Sequence, residues 1–153
     1  MFFITSDYDY NNLLKELKQN PGVNKISIGP KELIVANSVE KAELALEVGR
    51  KIKPSTLIYL YDEFKLFINL SHENKENFIS LISNLDKVGH SLELIETMQT
   101  YIEENGDINI IANKLKIHRN TLNYRLDRIK QLTGKNPKNL LELFELVCGL
   151  IWR

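Results

Sequence analysis

His118-Arg119-Asn120-Thr121-Leu122-Asn123-Tyr124-Arg125-Leu126-Asp127-Arg128-Ile129 is a basic, polar-faced helical pattern that follows directly on a short amphipathic segment at 107–116. In that first segment Ile108, Ile111, Ala112 and Leu115 are spaced i, i+3, i+4, i+7 and make one apolar stripe. Asp107 is placed to cap it. Small Ala112 lets a second helix cross closely, and Ile117 plugs the corner between the two. In the second helix, spanning 118–131, Leu122, Leu126 and Ile129 fall within one sector at 100° per residue and fix the buried face. The opposite face carries Asn120, Asn123, Tyr124, Asp127, Arg128 and Gln131, with Arg119, Thr121 and Arg125 near its edges. Asparagine can read adenine, arginine can read guanine or pair with phosphate, and Thr or Tyr hydroxyls can reach the backbone. A capped helix, a tight corner and such a helix together make the pattern of a helix-turn-helix DNA reader.

The charge distribution agrees, although the whole chain hides it. Between Lys114 and Lys138 stand eight Lys and Arg residues against Asp127 alone, inside a chain with 20 basic and 20 acidic residues. A local excess of that size is an electrostatic footprint for a polyanion, with Lys114 and Lys116 as phosphate contacts. The alternative reading is an ordinary solvated face in a helix bundle; the coincidence of the basic run with base-reading residue types favours DNA.

These residues carry a family resemblance. Leu94-Ile95-Glu96-Thr97-Met98, Tyr101 to Asp107, and His118-Arg119-Asn120-Thr121-Leu122 with Tyr124-Arg125-Leu126 resemble the C-terminal DNA-binding domain of the PucR/CdaR-type regulators of purine catabolism and sugar-diacid use. The resemblance implies a helix-turn-helix of the factor-for-inversion type with His118 to Arg128 in the major groove of double-stranded DNA. It implies Arg119, Asn120, Thr121, Tyr124, Arg125 and Arg128 as the DNA-facing set, to which Lys114, Lys116, His118 and Asn123 are added. His118 stands where many such motifs have a Ser or Asn cap, so capping and phosphate contact are both open to it. Lys116 occupies a turn position often held by glycine, at a cost of about 1 kcal/mol if its backbone is left-handed.

The flanking segments read as scaffold. Residues 91–105 place Leu92, Ile95, Met98 and Ile102 on one face before an Asn105-Gly106 stop, so Met98 and Tyr101 read as core or rim. After Gly134 and a turn at 135–139, residues 140–152 are apolar around much of the circumference. That fits a central helix, part of which packs on a second subunit; a two-fold homodimer suits half-sites roughly 34 Å apart.

The N-terminal portion alternates strands and helices: a strand at 2–5, a helix at 12–19, a turn at 20–22, a strand at 25–29, an edge strand at 33–35, a helix at 39–51 capped by Ser38, and a strand at 56–61. Ile26 to Gly29, Asn37 to Leu46 and Tyr59 to Phe64 resemble the later half of the GGDEF-like domain that precedes the DNA-binding domain in the same regulators, with the earlier half and any sensor missing. A single connecting helix is expected over 71–89, through Phe78, Leu81, Ile82 and Leu85, with a hinge at 87–90. The expected fold class is therefore α+β: a truncated GGDEF-like α/β layer at 1–70, a connection at 71–90, and an all-α helix-turn-helix domain at 91–153.

Catalysis is not expected. Asp62-Glu63 lacks the Gly-Gly turn that a diguanylate cyclase needs beside its acids, so these carboxylates read as a strand-end cap or solvated turn. His72, His90 and His118 are too dispersed for a zinc site, so no metal or cofactor is expected. The lone Cys148 in an apolar helix excludes an internal disulfide and reads as a packed thiol. With 43% hydrophobic residues, no run near the roughly 20 residues of a membrane span, and no export signal at the start, the expectation is a cytoplasmic regulator without membrane contact. The competing function is a protein-interaction module that pairs with a full-length regulator and modulates it.

Overall fold

Two short strands, β1 (Ile26–Ile28) and β2 (Ile58–Leu60), pair in parallel with Ile26 opposite Ile58 and Ile28 opposite Leu60. A parallel pair needs a crossover, supplied by α1 (Val35–Ile52). Gly49 lies where α1 passes over β2: a Cβ there would stand 2.2 Å from the buried Tyr59 ring, so only glycine admits the approach. The computed structural model describes residues 25–72 and 74–153, with Lys15, Glu16 and Gln19 before them. The strand expected at 2–5 and the turn at 20–22 lie outside the described residues, as does most of the helix expected at 12–19.

The edge strand expected at 33–35 does not form. α1 starts at Val35, one turn earlier than expected, with Ile34 in the cap position and no side-chain cap bond. Ser38 does not cap because its hydroxyl donates to the Pro30 carbonyl at 2.8 Å, tying the incoming loop to the first turn. Leu33, Ile34 and Val35 are left exposed, so their hydrophobicity reports no core strand.

β2 is shorter than expected because Tyr61 already opens α2 (Tyr61–His72), a helix absent from the sequence reading. Asp62 and Glu63 are exposed in its first turn, where negative charge suits the helix dipole. The connecting helix also needs correction. α3 (Lys75–Asp86) is separate from α2 and begins after Asn74. The reason is directional: Phe64 and Ile68 of α2 face α1 and β2, whereas Ile82 and Leu85 of α3 face the C-terminal helices, and one straight helix cannot serve both stripes.

Four helices follow: α4 (Ser91–Glu103), α5 (Ile108–Lys114), α6 (Arg119–Thr133) and α7 (Leu140–Trp152). α7 joins two cores. Its Leu146 and Leu150 enter a cluster with Met98, Ile111, Leu122, Leu126 and Ile129, while Val147 and Ile151, one position further round, enter a cluster with Ala45, Val48, Tyr59 and Phe64. α7 is thus a central helix, as its apolar circumference implies. Gly149 permits its contact with α3, because a Cβ there would lie 2.2 Å from Ile82 Cγ1. The first turn of α7 leaves Leu140 and Leu141 about four-fifths exposed. The architecture is mostly helical with a small two-stranded sheet, and no helix among the described residues is long and apolar enough to cross a membrane.

Candidate nucleic-acid interface

The pair α5–α6 is built by local chemistry at three points. Asp107 Oδ1 accepts from the Asn109 and Ile110 amides at 2.9 and 3.1 Å, capping α5 as expected. The corner is formed by Lys116, whose φ of 55° is left-handed, with the Ile117 amide donating back to the Ala112 carbonyl at 3.0 Å. Ile117 packs against the core and fills the corner. His118 Nδ1 then accepts from the Asn120 amide at 3.2 Å, so His118 does cap α6. An accepting Nδ1 puts the proton of the neutral ring on Nε2, on an exposed side chain. α6 stops at Gly134, φ 72°, whose amide donates to the Lys130 carbonyl at 2.8 Å.

The buried stripe of α6 is the one the periodicity picks: Leu122, Leu126 and Ile129 are essentially inaccessible. On the other side Arg119, Asn120, Thr121 and Tyr124 are exposed, Tyr124 by 68%. Arg128 is half-buried and donates to Gln131 Oε1 at 3.2 Å. Asp127, Lys130 and Gln131, outside the expected set, are exposed beside it.

Three expected DNA contacts are engaged within the protein. Lys114 donates to Glu103 at 2.8 Å and Glu104 at 2.9 Å. Both acids raise its pKa through these hydrogen bonds. Arg125 is turned toward α4, where it pairs with Glu93 and reaches Thr97 Oγ1 at 3.4 Å. Asn123 accepts from Lys138 Nζ at 3.0 Å, which orients its amide with Oδ1 toward the α6–α7 turn. Lys135 pairs with Glu145 at 2.7 Å. The basic excess legible in the sequence is therefore reduced in the fold, and Lys116, Arg119, Arg128, Lys130 and Lys138 are the cations of this region that make no ion pair among the described residues. No sequence signal within the motif could have found Glu93, Glu103 or Glu104, because each lies on α4 or just beyond its end and meets the motif only after the helices pack.

Among the described residues no group of three or more His, Cys, Asp or Glu is placed to hold a metal.

Residues 94–152 match the model of the PucR C-terminal helix-turn-helix domain. The chain is 25% identical over 149 residues to the DNA-binding transcriptional activator AdeR of Bacillus subtilis, covering 89% of this chain and 35% of that one. It is 30% identical over 118 residues to the purine catabolism regulatory protein of the same organism, covering 74% and 22%. It is 29% identical over 120 residues to the carbohydrate diacid regulator of Escherichia coli, covering 76% and 31%. The chain thus spans about a third or less of the length of these relatives. The match covers α4 to α7, so the helices that carry the capped α5–α6 pair and its left-handed corner are similar to the PucR C-terminal helix-turn-helix domain.

Proposed function

We propose that the chain is a DNA-binding transcriptional regulator that lays α6 in the major groove. The observation that carries this reading is the two-sided construction of α6, with Leu122, Leu126 and Ile129 sealed into the core while Asn120, Thr121 and Tyr124 stand in solvent. Asn120 offers the donor and acceptor pair that matches adenine, Arg119 suits guanine or phosphate, and the Thr121 and Tyr124 hydroxyls suit the backbone or a base edge. Lys116, Arg128 and the Nε2–H of His118 supply phosphate contacts. The names of the relatives, a transcriptional activator among them, support the same reading.

The β1–α1–β2 unit, a parallel pair with a helical crossover, supports reading the N-terminal part as belonging to a GGDEF-like layer. A homodimer belongs to the proposal: Leu140 and Leu141 provide exposed apolar surface beside the reading unit, and a two-fold pair would address half-sites roughly 34 Å apart. Sedimentation velocity tests that state.

The deciding experiment is a fluorescence-anisotropy titration against duplex from the chain's own upstream region and a shuffled control, at several salt concentrations. Tighter binding to the native duplex with steep salt dependence is expected. Equally weak binding to both overturns the stand-alone regulator in favour of the interaction module.

A further inference from the structure

We propose that Arg125 is a positioning residue rather than a DNA contact: its pairing with Glu93 sets the rotation of α6 on α4, and so which side chains face the base edges. The inference rests on the DNA-reading function proposed above. Arg125 lies on the flank of α6 turned to α4, and its side chain is only 16% exposed. One end of its guanidinium meets the Glu93 carboxylate, and Nη1 reaches the hydroxyl of Thr97, a fully buried residue whose own hydroxyl donates to the Glu93 carbonyl at 2.7 Å. The fork is thus held by two groups one turn apart on a single neighbouring helix. The second Glu93 oxygen lies 3.5 Å from Nδ1 of His90, in the turn before α4.

The apolar stripe of α6 holds the helix against the core, but apolar contact is non-directional and leaves rotation loosely specified. An arginine fork is directional. On the opposite flank Lys138 holds Asn123, so α6 has a polar strut on each side of its reading face. Functional constellations must be held within about 10–20° of their working geometry. Swinging Arg125 out to a phosphate would break the strut and leave the Glu93 carboxylate without its arginine.

The two roles predict opposite behaviour of Glu93. A duplex enriched from a random library by the wild-type chain and a scrambled duplex are titrated across salt concentrations with wild type, Arg125→Met, Arg125→Lys, Glu93→Gln and the Arg125→Met/Glu93→Gln double variant, and thermal unfolding is followed for each. For a positioning pair, Arg125→Met and Glu93→Gln each lower the preference for the enriched duplex about tenfold, and the double variant is no worse than either single one. The slope of log K against log salt stays at the wild-type value in Arg125→Met, and Arg125→Lys restores part of the preference. The proposal is overturned if Arg125→Met weakens both duplexes equally and reduces the slope by about 0.9, or if Glu93→Gln tightens binding to both by releasing the arginine. Should Arg125→Met fail to fold, Glu93→Gln alone decides by the same criteria. If the wild-type chain enriches no sequence, the DNA-reading function itself falls and the proposal with it.

Discussion

The Lys114 ammonium donates to the Glu103 carboxylate at 2.8 Å, and that carboxylate also accepts the Ser55 amide at 2.7 Å. The Glu103 side chain is only 7% exposed, and it joins the loop between α1 and β2 to α5, the first helix of the helix-turn-helix. Burial works to raise its pKa, but the bonds from Lys114 and Ser55 prevail and hold the carboxyl below its ordinary value of 4.5. A carboxyl depressed in the folded state contributes stability above its unfolded pKa and loses it as pH falls through the folded one. Glu103→Gln should therefore cost about 1 kcal/mol near neutrality and flatten the acid limb of the stability curve below pH 4.5. Thermal melts of both proteins across the acid range check this; parallel acid limbs would remove Glu103 as a source of the slope.

Because Lys114 already faces two carboxylates, Lys114→Ala should leave the salt slope of DNA binding nearly unchanged, contrary to what its place in the basic run implies. Asn120→Ala and Tyr124→Ala should instead lower the preference for a cognate duplex, each by roughly 1–3 kcal/mol if the side chain meets a base. Titrations on cognate and scrambled duplexes separate the classes. A Lys114→Ala variant losing about 0.9 in slope would mean the ammonium leaves Glu103 and Glu104 for phosphate.

Sequence periodicity was a good guide where one face of a helix had one partner. Leu122, Leu126 and Ile129 are buried as their spacing requires, and the Asp107 cap and left-handed Lys116 follow from local rules alone. It failed where tertiary contact chose the outcome. Ser38 looks like a cap but holds Pro30, and α2 went unseen because its burial stripe amounts to Phe64 and Ile68 among exposed Leu66 and Leu70. Within the site, the outward face of α6 was legible but not the availability of its charges, since the partners of Lys114 and Arg125 are 10 to 32 residues distant.

Lys116 holds a φ of 55° in the corner of the motif, a region that costs a side-chain-bearing residue about 1–2 kcal/mol. Lys116→Gly relieves that strain but frees the unfolded chain, so the net gain in stability should be about 0.5–1 kcal/mol. The same change removes an exposed cation that makes no ion pair among the described residues, so DNA binding should weaken on all sequences alike, with a slope reduced by about 0.9. Chemical denaturation and a salt series on one preparation read both effects. A destabilised glycine variant would mean the lysine side chain contributes packing that outweighs the strain.

Cys148 is fully enclosed on α7, next to Gly149 where the helix presses on α3. Burial pushes its thiol up to about 11, and the charge of Glu145 adds to the shift. Only the thiolate reacts with disulfide reagents, and at pH 8 a thiol of that pKa is ionised to roughly one part in a thousand. In the folded protein Cys148 should therefore stay unmodified by a water-soluble aromatic disulfide over hours, and react at once in denaturant. At high reagent the folded-state rate should become independent of reagent concentration, because opening of the α3–α7 contact then limits it. Rapid labelling of the native chain would contradict the placement of α7 between the two cores.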